Sequence, residues 1–89
     1  MIRVAVRVAA LLHGYTGGAS GLNAMGSTVG EVLADLDRQY PGLRFRLVDE
    51  QGRLRRHVRL FVNEADARDL ATPLAEDDEL YIVGALSGG

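Results

Sequence analysis

The sequence has no cysteine, and that absence removes a disulfide framework, a thiolate nucleophile and a cysteine-based zinc site together. It has only two histidines, His13 and His57, so a metal centre is not expected, and no acid or nucleophile stands near His57 to make it a catalytic base. Lysine is missing as well, since all ten basic residues are arginine. A phosphate loop ending in Gly-Lys-Ser/Thr is therefore excluded, and the only amine is the N-terminus. No apolar run is long enough to span a bilayer. The first residues alternate arginine with valine and lack the unbroken apolar core of a signal peptide, so a cytoplasmic protein without membrane partners is expected. The net charge of −2 offers no general attraction to nucleic acid. With 89 residues the chain, 1–89, forms one domain with a modest core and has no room for a cleft between lobes, which disfavours an enzyme. Its 47% apolar and 25% charged content is that of a folded chain, not a disordered one.

What is present is alternation. From Ile2 to Ala10, Ile2, Val4, Val6 and Val8 fall on one face and Arg3, Ala5, Arg7 and Ala9 on the other, the pattern of a half-buried strand. Gly14, Gly17, Gly18 and Gly21 then punctuate a connection read as a wide hairpin. A phosphate-cradling loop is the alternative, but such a loop feeds directly into a helix, and here a short strand near Leu22–Met25 intervenes. The one main helix opens at Ser27-Thr28, where Thr28 and Glu31 have capping-box spacing. Val29, Val32, Leu33, Leu36 and Tyr40 make a single apolar stripe, while Asp35, Asp37 and Arg38 lie on the solvated side. Pro41-Gly42 ends it.

Leu43 to Arg56 carries scattered apolar residues and a turn at Asp49-Glu50-Gln51-Gly52, and reads as a loop. Arg53, Arg55, Arg56 and Arg59 form a basic cluster, taken as a hydrated surface, with a docking patch for an acidic partner as the alternative. A strand at His57–Asn63 turns Val58, Leu60 and Val62 inward and Arg59 and Phe61 outward. A turn at Asn63–Asp66, a short edge strand near Ala67 and Arg68, and an irregular piece around Thr72-Pro73-Leu74 follow. The last strand, Glu79–Ala85, points Leu80 and Ile82 inward and Tyr81 and Val83 outward. One striped helix and these strands give a two-layer α+β domain, a mixed sheet with the helix on one face and the first and last strands parallel at its centre. Alternation then gathers Arg7, Arg59, Phe61, Tyr81 and Val83 on the opposite face, an aromatic pair among arginines with the composition of a partner-docking patch. The competing possibility is that the loop after Gly42 covers them.

The closing Leu86-Ser87-Gly88-Gly89 has little to pack. A diglycine can enter a channel too narrow for a Cβ and present the Gly89 carboxylate to another protein's active site, with 85–89 a flexible tail. That carboxylate, with an ordinary pKa of roughly 3.3 to 3.7, is ionised at neutral pH and a poor electrophile, so it needs activation.

Val62-Asn63 after an apolar strand, Leu74 before Asp77-Asp78-Glu79-Leu80, and the terminal Ser87-Gly88-Gly89 resemble the ubiquitin-like β-grasp sulfur carriers of the MoaD/ThiS family over essentially the whole chain. Thr16-Gly17-Gly18, Thr28-Val29-Gly30 and Phe61-Val62-Asn63 resemble in particular the actinobacterial branch that serves cysteine biosynthesis. Gly84-Ala85-Leu86 departs from the family, many members of which carry prolines before the tail. The resemblance implies a protein substrate rather than an enzyme, with no catalytic residue and no bound cofactor of its own. An E1-like adenylating and sulfurtransferase enzyme would use ATP and a sulfur donor to convert Gly89 to a thiocarboxylate, with Gly88 and Ser87 in its channel. The implied acceptor is a pyridoxal-phosphate cysteine synthase, followed by a zinc-dependent peptidase. Molybdopterin, thiamin or thio-natural-product synthesis, a ubiquitin-like modifier, and a binding module that only shares the fold are the alternatives.

Overall fold

The computed structural model describes residues 2–84, and the tail, with Ser87, Gly88 and Gly89, lies outside the described residues. Strand β1 is Arg3–Val8 and strand β5, the last, is Glu79–Gly84; each alternates exposed and buried positions along its length. They pair in parallel, Val6 beside Leu80 and Val8 beside Ile82, at the centre of a five-stranded sheet whose other strands are β2 (Gly21–Met25), β3 (Val58–Val62) and β4 (Ala65–Asp66), in the order β2-β1-β5-β3-β4. Strand β2, Gly21–Met25, lies antiparallel to β1, and β3, Val58–Val62, lies antiparallel to β5. The sheet is mixed because β1 and β5 cannot be joined by a tight turn; a parallel pair requires a crossover, here most of the chain.

Helix α1, Val29–Gln39, supplies the crossover's packing face. Its buried residues are Val29, Val32, Leu33 and Leu36, none more than 1% exposed, each contributing roughly 1.5–3 kcal/mol of hydrophobic stabilisation. They share one core with Val4, Val6, Val8, Val58, Leu60, Leu80 and Ile82. The Thr28 half of the capping box forms, Thr28 Oγ1 accepting from Glu31 N at 3.2 Å, while Glu31 Oε1 reaches past the cap residue and accepts from the Ser27 N–H at 2.7 Å. The next orphan amides of the helix are met by the irregular segment before β5, Val29 N donating to Thr72 O and Gly30 N to Leu70 O. A Cβ on Gly30 would sit 3.3 Å from Leu70 O, and one on Gly26 only 2.8 Å from Glu31 Cβ, so both glycines permit close approach.

One expectation is met with added detail and two are corrected. The glycine-rich connection joins antiparallel β1 and β2 as the expected wide hairpin, and it contains a 3₁₀ turn, Ala10–Tyr15, before Gly17 and Gly18 take positive φ and lead into β2; Thr16 is buried in it and donates to Ala19 O at 2.7 Å. Residues 43–56 are not all loop, because Leu43–Leu47 form helix α2. Asp37 Oδ1 accepts from both Gly42 N and Arg44 N at 3.1 Å, satisfying amides at the start of α2, while Leu43 and Leu47, one turn apart, are buried. The edge strand, β4, is Ala65–Asp66 rather than Ala67 and Arg68, since the turn before it needs only Asn63 and Glu64.

The other edge, β2, is protected by α1. The outward-pointing Met25 N–H donates to Asp35 Oδ2 at 3.0 Å and the Asn23 carbonyl accepts from Gln39 Nε2 at 2.9 Å, which occupies groups that would otherwise pair with a foreign strand. The Met25 N–H, helped by Arg38 and Gln39 against a partial desolvation, holds the Asp35 carboxyl below the ordinary carboxylate range. A depressed pKa contributes stability that is full above the unfolded value, near 3.8, and lost as pH falls through the folded one. Asp35→Asn, which keeps the shape but weakens a charge-assisted bond, is expected to destabilise the fold by about 1 kcal/mol at neutral pH. Denaturant unfolding of parent and variant down through the carboxylate range checks this: the gap should close in acid, and a gap independent of pH would refute the electrostatic origin.

Candidate functional site

The patch on the face of the sheet opposite α1 is built from outward residues of three strands, β1, β3 and β5. Register places Tyr81 between Arg7 on β1 and Phe61 on β3, with Val83 opposite Arg59 one step nearer the end of β5. All five residues expected in the patch are thus neighbours on one surface. Tyr81 is 41% exposed, Phe61 and Val83 are half-buried, and Arg7 and Arg59 are exposed. The Arg59 guanidinium lies 5.6 Å from the centre of the Phe61 ring and pairs with Asp66 at 2.8 Å, so it is held over the aromatic by a carboxylate from β4.

The loop after Gly42 does not cover this face. Leu43, Leu47, Val48 and Leu54 pack into the core shared with α1, on the other side of the sheet, and α2 lies against α1. The basic cluster is also divided. Arg59 belongs to the outer face, whereas Arg55 folds over Phe45, its guanidinium 4.7 Å from that ring and its Nε donating to Phe45 O at 2.8 Å.

Sequence reasoning missed the residues at the far end of the patch. Asn63 and Glu64 form the two-residue turn between β3 and β4, with φ of 48° and 77°. This is the left-handed pair that a tight hairpin demands, and an asparagine followed by a residue in the usual glycine position was the available signal. Asn63 ties the turn to the start of β5: its Nδ2 donates to Asp78 Oδ1 at 2.8 Å and its Oδ1 accepts from Glu79 N at 3.0 Å. Asp78 Oδ2 accepts from Ala75 N at 2.8 Å, and the Ala75 and Asn63 donors hold the Asp78 carboxyl below its usual range. Against this braced corner, Phe61, Asn63, Glu64, Glu79 and Tyr81 line a hollow of about 310 Å³. Among the described residues no group of three histidine, acidic or cysteine side chains could hold a metal ion, and no helix is long and apolar enough to cross a membrane.

Residues 6–89 match the ThiS family. The chain belongs to that family. The sulfur carrier protein CysO of Mycobacterium tuberculosis (strain ATCC 25618 / H37Rv) is 38% identical over 93 aligned positions, covering 99% of this chain and all of the relative. The crystal structure of the BexX/CysO complex of Amycolatopsis orientalis contains a chain that superposes with a TM-score of 0.88 at 34% identity, covering 97% of this chain and 99% of that one. The solution structure of small archaeal modifier protein 1 from Methanosarcina acetivorans superposes at 0.84 with 30% identity, covering 100% of this chain and 98% of that one. The expected β-grasp, ubiquitin-like architecture is the one observed, and the likeness to sulfur carriers extends over the whole ThiS-family chain.

The placement of Phe61 has a direct test. Its ring is partly solvated, whereas its neighbour Leu60 is fully buried. Phe61→Asp should retain a cooperative thermal transition within a few degrees of the parent, while Leu60→Asp, which buries an unpaired charge, should cost more than about 4 kcal/mol and abolish the transition. Calorimetry of the two variants would refute the assignment of faces if Phe61→Asp unfolded like Leu60→Asp.

Proposed function

We propose that this chain is a sulfur carrier of biosynthesis, most specifically of cysteine, that is itself a substrate and not an enzyme. The observation that carries the reading is the whole-chain likeness to CysO, together with a family match that runs through Gly89. The Gly89 carboxylate attacks the α-phosphorus of ATP on an E1-like partner, releasing pyrophosphate and leaving an acyl-adenylate. A sulfur donor then displaces AMP at the acyl carbon, and the product is a thiocarboxylate whose sulfur is a nucleophile at neutral pH. Gly88 and Ser87 thread the partner's channel, and the outer face, with Phe61 and Tyr81 at its centre, holds the partner in place. Dependence on ATP sets this chemistry in the cytoplasm. The absence of cysteine in the carrier suits it, because no internal thiol can capture the activated acyl group.

The acceptor in this reading is a pyridoxal-phosphate cysteine synthase, with a zinc-dependent peptidase releasing the new amino acid. Neither group is held by the carrier. A second reading, a ubiquitin-like modifier, is favoured by the likeness to small archaeal modifier protein 1. Having no lysine, the chain could be attached to other proteins but could not build lysine-linked chains of itself.

Incubation with the cognate activating enzyme, ATP and a sulfur donor should replace one oxygen of the carrier by sulfur, read by intact-protein mass spectrometry. Deleting Gly89 should abolish the change and Gly88→Ala should slow it; thiolation of the truncated chain at the parent's rate would defeat the terminal-carboxylate mechanism. Gly89 recovered from cells on substrate lysines, and never as a thiocarboxylate, would select the modifier reading instead. Phe61→Asp should weaken binding to the activating enzyme about tenfold or more, equivalent to at least ~1.4 kcal/mol.

A further inference from the structure

The outer face is not uniform in charge along β5. Toward the end of the strand, Val83 is flanked by Arg59, and Tyr81 by Arg7. Toward its start, the hollow of about 310 Å³ between Phe61 and Tyr81 is rimmed by the two carboxylates of Glu64 and Glu79, with the exposed Arg3 farther out on β1, two residues before Ala5, the partner of Glu79. Both glutamates are exposed, and the ion pairs found among the described residues, Arg38–Asp35 and Arg59–Asp66, involve neither. Asn63, the remaining polar lining residue, has its side chain engaged with Asp78 and the Glu79 amide. What the hollow presents to solvent is therefore aromatic surface and negative charge.

The same surface already contains this combination in use. Arg59 stacks on the Phe61 ring while Asp66 binds its guanidinium at 2.8 Å. The hollow repeats the pairing of ring and carboxylate on the other side of Phe61, with Tyr81 added, and without a cation. Phe61 and Tyr81 are directly opposite across β3 and β5, which puts their Cβ atoms about 5 Å apart. Two π faces attract a cation, an apolar wall accommodates the methylene stem of a long basic side chain, and a carboxylate receives its N–H donors. An anionic ligand would be repelled by both glutamates, and an apolar side chain would leave them without a partner.

We propose that this hollow receives an arginine or lysine side chain of the protein that docks on the outer face. The inference rests on reading that face as the docking side, and it adds an orientation: the partner's basic anchor meets the start of β5, and acidic groups of the partner meet Arg7 and Arg59 toward its end. A carrier bound the other way round would bring the partner's basic anchor to Arg7 and Arg59 and leave the hollow empty, so the position of the hollow favours one direction of tail delivery.

Two experiments separate this inference from the sulfur-carrier reading. In the first, the free protein is titrated with N-acetyl-arginine amide at low salt and followed by amide proton–nitrogen NMR. Shifts are expected to concentrate on Asn63, Glu64, Glu79 and Tyr81, to be absent with N-acetyl-glutamine amide, and to fall about fivefold or more in the double variant Glu64→Gln, Glu79→Gln. Equal shifts with the glutamine compound, or an unchanged titration of the variant, would overturn the proposal. In the second, adenylation by the cognate activating enzyme is measured by pyrophosphate exchange. The double variant should raise KM for the carrier about tenfold, with the loss falling on KM rather than kcat, and Glu64→Lys should raise it further. An unchanged KM overturns the basic anchor while leaving the sulfur-carrier reading intact. A parent protein that is never adenylated defeats that reading instead, and the arginine titration then decides the hollow alone.

Discussion

Everything in this domain depends on the parallel pairing of β1 with β5. Four residue pairs, from Ala5 beside Glu79 to Val8 beside Ile82, join strands far apart in the sequence. Because parallel neighbours cannot share a hairpin, the intervening chain must leave the sheet, cross one face and return, and α1 is the part of that crossover able to bury an apolar stripe. The pairing also fixes the two faces at once. With Val6 and Leu80 turned toward α1, Arg7 and Tyr81 have to point away from it, since neighbours along a strand alternate sides. The outer surface is thus a by-product of the core's register, and a slip of one residue would exchange the two.

Holding that arrangement requires the sheet's edges and corners to be closed with side chains. Asp35 and Gln39 of α1 cover the β2 edge, and Asn63 and Asp78 brace the opposite corner where the β3–β4 turn meets the start of β5. The N-terminus of α1 is closed by carbonyls of Leu70 and Thr72, so the irregular segment before β5 is fastened to the helix before the last strand begins. These are local bonds with a common consequence, which is that β5 has its start pinned on both sides.

The parts legible in the sequence were those written as a period. Alternation in β1, β3 and β5 gave the strands, the faces and the membership of the outer patch, and the Thr28–Glu31 spacing gave the start of α1. The parts not legible were those whose stability comes from partners elsewhere. Helix α2 has five residues, too few for a helical period to stand out or for an isolated helix to persist. It exists because Asp37 on α1 accepts its first amides and because Leu43 and Leu47 find the core. The basic cluster looked like one feature because Arg53, Arg55, Arg56 and Arg59 are close in sequence, yet the start of β3 separates Arg59 from the others and sends it to the opposite face. The acidic hollow was invisible for the converse reason: Glu64 and Glu79 meet only through the β3–β5 register.

In the proposed reading, the rigid sheet has to supply what the reacting end cannot. Two glycines and a carboxylate offer a partner almost nothing to recognise beyond slenderness, so selectivity must come from surface held at a fixed distance from them. Strand β5 provides that distance. From Tyr81 at the centre of the patch to Gly84, its last residue, the backbone advances roughly 10 Å at about 3.3 Å per residue, paired with β3 throughout and with β1 as far as Ile82. Five residues follow Gly84, and a fully extended chain of that length spans at most roughly 18 Å at about 3.6 Å per residue. A partner that grips Phe61 and Tyr81 must then have its reaction centre within that reach, and one that grips them in reversed orientation sends the tail away from it. In that docking, the position of the acidic hollow on the outer face bears on chemistry as well as on affinity.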